Sequence, residues 1–224
     1  MIKLYHWPLD PAARTVRLAL GEKQLAFEPV ETRPWAAHPE VEHLAPGAAA
    51  PALLSSGEDG RIVLLGSHAI LEHLEEVFTA TRLLSNTRQE RAEARRLWRW
   101  CEDAFAIVSE TLLTERVTQW VRREREPDSA ALRKGAHALR GRLTFLNALA
   151  EERSYLAGRH LSLADLSAAA HLSSLDYFGD VDWSTVPDLK SWYARLKSRP
   201  SFRPLLSERI DGTRAARHYA DLDF

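Results

Sequence analysis

The hydrophobic pattern changes its period near residue 80, so the chain has to hold two different architectures. Up to Phe78 the apolar residues fall in short runs. Ile2-Lys3-Leu4-Tyr5 reads as a strand, Phe27 to Val30 as a short extended run, and Pro51 to Leu54 and Ile62 to Leu65 as two more strands. Between the last two, Ser55-Ser56-Gly57-Glu58-Asp59-Gly60 carries the turn formers of a hairpin. Pro11 to Leu20 has helical spacing and a further helix starts at Ser67, which gives the β-α-β, β-β, α order of a thioredoxin-like α/β domain. Beyond residue 80 the patterns are long and amphipathic, over Arg88 to Leu113, Ser129 to Leu149 and Leu163 to Leu175, as in a helical bundle. Ser162-Leu163-Ala164-Asp165 is a helix-start signal with a structural reading, and Pro187-Asp188-Leu189-Lys190 opens a helix that stops before Pro200. The expected fold class is α+β, with an α/β domain over residues 1–80 and an all-α domain over residues 86–224.

Charge divides at the same place. Residues 1–80 carry 6 basic and 11 acidic side chains, residues 81–224 carry 24 and 20, and the whole chain is near −1. That balance lacks the footprint of a nucleic-acid binder. No apolar run approaches the roughly 20 residues that span a bilayer, and the start of the chain has no signal-peptide pattern. The single cysteine, Cys101, makes no intramolecular disulfide and reads as a small apolar residue. The expectation is a cytoplasmic protein with no membrane insertion. His38 and His43 are five apart with no third ligand evident, so no metal site is expected.

Several segments in order along the chain resemble the cytosolic glutathione S-transferase family. Met1 to Leu20 is similar to its first strand, active-site loop and first helix. Leu44 to Leu53 matches the loop that ends in a cis-proline, and Gly66-Ser67-His68-Ala69-Ile70 is similar to its Glu-Ser-x-Ala-Ile segment. Tyr155 to Gly158 followed by Leu161 to Asp165 resembles the capping signature of the second domain. The resemblance implies the two-domain fold of that family, a homodimer, and a glutathione-like site at Ala50, Pro51, Ser67 and His68. Ala50 would pair with the tripeptide backbone and Ser67 would hold the γ-glutamyl carboxylate at a helix N-terminus. A structural cis-proline turn and an ordinary N-cap serine are the plain alternatives.

At the catalytic position the chain departs from the family. Serine- and cysteine-type members carry a pattern like Pro-x-Ser-Pro-x-x-Arg, and the stretch here is Pro8-Leu9-Asp10-Pro11-Ala12-Ala13-Arg14. A thiolate needs a donor, whereas the ionised carboxylate of Asp10 only accepts. Two like charges about 4 Å apart cost on the order of 4 kcal/mol at an effective dielectric of about 20, equivalent to raising a thiol pKa by roughly 3 units. Asp10 therefore reads as an N-cap ahead of Pro11. Tyr5 and His6 are the fallback donors. Strand alternation puts Tyr5 with Trp7 on one face, in the core, and His6 on the other. Gly66 also replaces the family's acidic residue.

Surface features point to binding. Arg33-Pro34-Trp35 sits in a polar loop, and Trp and Arg are enriched at interface hot spots, so Trp35 reads equally as an exposed partner site or as a dimer-interface or inter-domain residue. The end of the chain, His218-Tyr219-Ala220-Asp221-Leu222-Asp223-Phe224, reads either as a recognition tail or as a strap packed on the bundle. Arg33, Trp35, Tyr219, Asp221, Leu222, Asp223 and Phe224 are the candidate partner residues. Arg88, Arg91, Arg95, Arg96 and Arg99, interleaved with Glu90 and Glu93, form an ion-paired helix face, and Trp98 and Phe105 lie seven apart as core or interface aromatics. The loop, the altered sulfur site and the terminal segment together resemble an alphaproteobacterial subgroup of the family that binds filaments of the division protein FtsZ and is not known for glutathione chemistry. The resemblance implies a non-catalytic regulator of division with no cofactor. The alternatives are an active transferase joining glutathione to an electrophile, and a ligand carrier of the same fold.

Overall fold

Strand β1 (Ile2–His6) runs parallel to β2 (Phe27–Glu31), which obliges the chain to cross over between them, and α1 (Pro11–Glu22) makes that crossing. On its other side β1 pairs antiparallel with β3 (Ala52–Gly57), which pairs antiparallel with β4 (Gly60–Leu65), so the sheet order is β2-β1-β3-β4. The computed structural model describes residues 1–36, 38–57 and 60–224. The tip of the expected hairpin, Glu58 and Asp59, lies outside the described residues. Ser55 and Ser56, read as turn residues, instead continue the ladder opposite Ile62 and Arg61.

The sheet buries its two faces separately, as the period of two requires. Leu4 and Leu53 join one core with Val16 and Leu20 of α1 and Ile70 and Leu74 of α3 (Gly66–Val77). Tyr5, Ala52 and Leu54 form a small second cluster under Val41 of α2 (Pro39–Leu44). The expected alternation of Tyr5 with Trp7 fails here. The strand ends at His6, and Trp7 turns into the main core, away from the cluster that holds Tyr5.

The second half is helical. The pattern over Arg88 to Leu113 is one rod with two changes of pitch. It runs from α4 (Arg88–Trp100) through a π-helical turn at Cys101–Phe105 into α5 (Ala106–Val117) and a second π turn at Thr118–Arg122. A left-handed Arg123 (φ 54°) stops it. Trp98 and Phe105 are both buried, and Trp100 packs against Phe145 of α6 (Ser129–Glu152). Then come α7 (Leu163–Tyr177), α8 (Pro187–Lys197) and the short α9 (Arg203–Ser207). Asp165 accepts from the Ser162 N–H and hydroxyl, the Leu156 N–H and the Trp192 indole, so the start of α7 is tied to α8. On the charged face of α4 the interleaving gives one pair, Arg96 on Glu93, which Arg153 shares; Arg95 reaches Glu72 of α3, and Glu90 instead accepts from the Ser85 and Thr87 hydroxyls.

The halves meet along α1, which packs on α7. Its Arg14 is fully buried and donates to Pro8 O, Ser173 Oγ and Tyr219 Oη, while Glu208 accepts ion pairs from both Arg14 and Arg17. Among the described residues no helix is long and apolar enough to cross a membrane.

Candidate functional site

A cleft of about 670 Å³ opens between the α/β half and the α5 rod. Its walls include Trp7, Leu9, Asp10, Trp35 and Ala50 on one side and Glu110, Leu113 and Arg122 on the other. Asp10 caps α1, its carboxylate accepting from the Ala12 N–H at 3.3 Å and the Ala13 N–H at 2.9 Å, with Pro11 at the first helical position. The helix N-terminus that would favour an external anion is thus filled by the chain's own carboxylate. Burial pushes the Asp10 carboxyl up to about 6; the two N–H bonds oppose the rise, and the Glu102 and Glu110 carboxylates add to it. Thr32, Thr114 and Thr118 are also among the residues that line the cleft. Cys101 is buried in the helical core, where desolvation pushes its thiol up.

The Ala50–Pro51 peptide is cis, Ala50 lines the cleft, and Pro51 O accepts from the Gly66 N–H at 2.9 Å. Gly66 has φ +77°, a left-handed conformation that an acidic side chain would occupy only with strain, which gives a backbone reason for the glycine there. The serine that follows is not open. Ser67 Oγ donates to the Glu102 carboxylate at 2.8 and 2.9 Å, His68 Nδ1 lies 2.9 Å from Oε2, and the Trp98 indole N–H donates at 3.0 Å. The His68 ring stacks on Trp98 at 4.1 Å between centroids.

The fallback donors are elsewhere. Tyr5 is fully buried beneath α2, edge-on to His38, and is not part of the cleft wall. His6 is buried beside Arg17 and Arg14; desolvation first, then those charges, lowers its pKa to about 3, so it is neutral near pH 7.

Arg33 to Ala36 form a tight turn closed by the Ala36 N–H on Arg33 O at 3.0 Å. Arg33 is exposed, while Trp35 is half-buried, edge-on to Trp7 at 5.7 Å and under the Arg122 guanidinium at 5.4 Å. Trp35 therefore bridges the mouth of the cleft and keeps part of its ring in solvent. The terminal segment is a strap. Tyr219 is fully buried, which withdraws it from any partner in this conformation. Phe224 lies over the Lys197 ammonium at 3.9 Å, and Lys197 also donates to Asp221 O at 2.6 Å. Asp221, Leu222 and Asp223 face outward. Among the described residues no group of three or more His, Cys, Asp or Glu is placed to hold a metal.

Residues 4–82 match the family described as glutathione S-transferase, N-terminal domain, and residues 115–209 match the corresponding C-terminal domain. A protein of Caulobacter vibrioides named FtsZ-localized protein A is 48% identical over 222 residues, covering 99% of this chain and 97% of that one. The chain belongs to the glutathione S-transferase family. Among solved structures, FzlA from C. crescentus superposes with a TM-score of 0.95 at 48% identity, covering 100% of this chain and 99% of the other. A glutathione S-transferase from Rhodospirillum rubrum F11 does so with 0.94 at 43%, covering all of both chains.

As a glutathione S-transferase-family protein the chain keeps the cis-proline loop and the serine at the start of α3, and sets the Glu102 carboxylate against the serine. Reading the sequence alone missed Glu102, Arg122 and the Glu208 ion pairs. The spacing of Trp98 and Glu102, one helical turn apart, signals a local contact, but nothing in the sequence indicates that Ser67 would share it.

Proposed function

We propose that this chain is a non-catalytic glutathione S-transferase-fold protein that regulates cell division by binding FtsZ filaments in the cytoplasm. The non-catalytic half of this reading is carried by Asp10, an acceptor-only group that caps α1 where a thiolate would need a donor. The FtsZ half is supported by the likeness, over nearly the whole chain, to a protein named for its localisation with FtsZ. Residues 1–80 and 86–224 serve as its two domains, with the first docking beside the second of a twin in a homodimer. The filament-facing surface is assigned to Arg33 and Trp35 at the cleft mouth and to Asp221, Leu222, Asp223 and Phe224 of the strap; glutathione is neither a required cofactor nor turned over.

Trp35→Ala is the decisive variant. The indole is half-buried, so its loss is expected to cost about 1–2 kcal/mol and to lower the melting temperature by roughly 2–8 °C. Co-sedimentation with FtsZ filaments is expected to be lost at protein concentrations where the wild type pellets. Retained binding refutes the assignment of Trp35, and turnover of glutathione with a standard electrophile by the wild type refutes the non-catalytic reading.

A further inference from the structure

Two carboxylates line the cleft from opposite walls, and neither meets a cation among the described residues. Asp10 accepts from the Ala12 and Ala13 N–H groups, which uses two of the roughly four acceptor positions of a carboxylate. Burial raises the Asp10 carboxyl, the Glu102 and Glu110 charges raise it further, and only those two backbone N–H groups oppose them. Glu110 on α5 is exposed, and its side chain makes no hydrogen bond or ion pair among the described residues. The guanidinium groups of the cleft are engaged or distant. Arg122 lies over the Trp35 ring and pairs with Glu124. It follows Glu110 by twelve residues, about 18 Å along the rod at the α-helical rise, which exceeds the Debye length of about 8 Å at physiological salt. Arg33 is exposed in the turn at the mouth. Near Asp10 the wall is aromatic and apolar: Trp7 and Trp35 meet edge-on at 5.7 Å, with Leu9 on the same wall and Leu113 opposite. The Trp35 ring already takes a cation from this chain, so an indole face here is placed to meet positive charge.

We propose that the cleft binds a small organic ammonium ion: its N–H groups donate to Asp10, Glu110 supplies a second negative charge from the opposite wall, and its apolar body lies against Trp7 and Trp35. This goes beyond the filament reading above and does not rest on it. An ammonium carries three donors, which suit the acceptor positions that the helix cap leaves open on Asp10. The charge of this ligand is opposite to that of a glutathione thiolate, which would meet Asp10 as a like charge in the same space. An alcohol of the same shape can also donate to Asp10, but it leaves both negative charges uncompensated, so the site selects by charge rather than by shape. A volume of about 670 Å³ is that of a small-molecule site.

The test uses the full chain near neutral pH and three probes of one shape: benzylamine, an ammonium under those conditions, benzyl alcohol and benzoate. Binding is followed by NMR titration of the indole N–H resonances, with Trp35→Phe assigning the Trp35 signal. Benzylamine is expected to move that signal and to bind at least about tenfold more tightly than benzyl alcohol, while benzoate shows no binding over the same concentrations. Asp10→Asn keeps a capping side chain and is expected to weaken benzylamine about tenfold; Glu110→Gln, a change at an exposed position, is expected to weaken it about threefold. Neither variant is expected to alter the affinity for benzyl alcohol. Should Asp10→Asn fail to fold, the ranking of the three probes on the wild type and the loss in Glu110→Gln decide. Equal affinity for benzylamine and benzyl alcohol, tighter binding of benzoate, an unmoved Trp35 signal, or wild-type affinity for benzylamine in Glu110→Gln or in folded Asp10→Asn overturns the proposal. FtsZ co-sedimentation tests the earlier reading and is scored separately.

Discussion

Removing the carboxylate of Glu208 tests how the α/β half is fastened to the rest of the chain. Glu208 accepts from Arg14 Nη2 at 3.0 Å and lies 2.5 Å from Arg17 Nη1, with the three side chains 14%, 0% and 9% exposed respectively. In Glu208→Ala, Arg14 keeps its bonds to Pro8 O, Ser173 Oγ and Tyr219 Oη, whereas Arg17 is left with no ion pair among the described residues. Taking one partner from a buried pair costs about 3–5 kcal/mol, because the remaining charge stays desolvated. For a chain of this size each kcal/mol moves the melting temperature by about 2–4 °C, so a drop of roughly 6–20 °C is expected in thermal unfolding followed by circular dichroism at one protein concentration. The cause is separated from mere loss of packing by a second change. Adding Arg17→Met to Glu208→Ala removes the orphaned charge and is expected to recover part of the loss, a non-additivity that a double-mutant cycle measures. A drop below about 2 °C, or no recovery with Arg17→Met, refutes the reasoning that this buried ion pair fastens α1.

Two further outcomes follow from the geometry. The folded-state pKa of Asp10, about 6, lies above its ordinary value, so the native chain holds a proton between those two pH values that the unfolded chain has released. Its contribution to stability therefore falls as pH rises through that window. Asp10→Asn, which keeps a capping side chain, is expected to gain stability relative to wild type at pH 7 and to show almost no difference at pH 4; a constant difference at both pH values contradicts the assignment. Val63 and Leu65 lie on the edge strand β4 and are each 36% exposed, which suits a buried contact in the proposed homodimer. Leu65→Lys is expected to shift sedimentation from dimer to monomer, and an unchanged dimer places the contact elsewhere.

Local signals carried most of the fold. The strands, the helix starts at Asp10 and Ser162 and the local Glu93–Arg96 pair of α4 follow from short-range pattern, so they are legible in the sequence. The errors arise where a tertiary partner decides. Trp7 leaves the face of Tyr5 because the strand stops one residue earlier, at the point where the chain bends toward α1. Ser55 and Ser56 stay in the ladder because Ile62 and Arg61 are there to pair with them. The π turns leave no mark in the hydrophobic period, since the helix on either side continues. At the candidate site, Asp10 was readable as a cap, and the cis peptide at Ala50–Pro51 was expected from the family likeness. The occupant of Ser67 was not, because Glu102 lies 35 residues away in sequence.

Besides the Arg95–Glu72 ion pair, the rod from Arg88 to Arg122 is held to the α/β domain at two further places, through Glu102 on Ser67 and His68 and through Arg122 on Trp35. Twenty residues separate those points, about 30 Å at the rise of an α-helix. A stiff beam pinned at two points does not pivot about either alone. Any tilt of the domain that loosens the Trp35 corner must also load the Glu102 contact, so mechanical force applied at the cleft mouth is registered midway along the same beam.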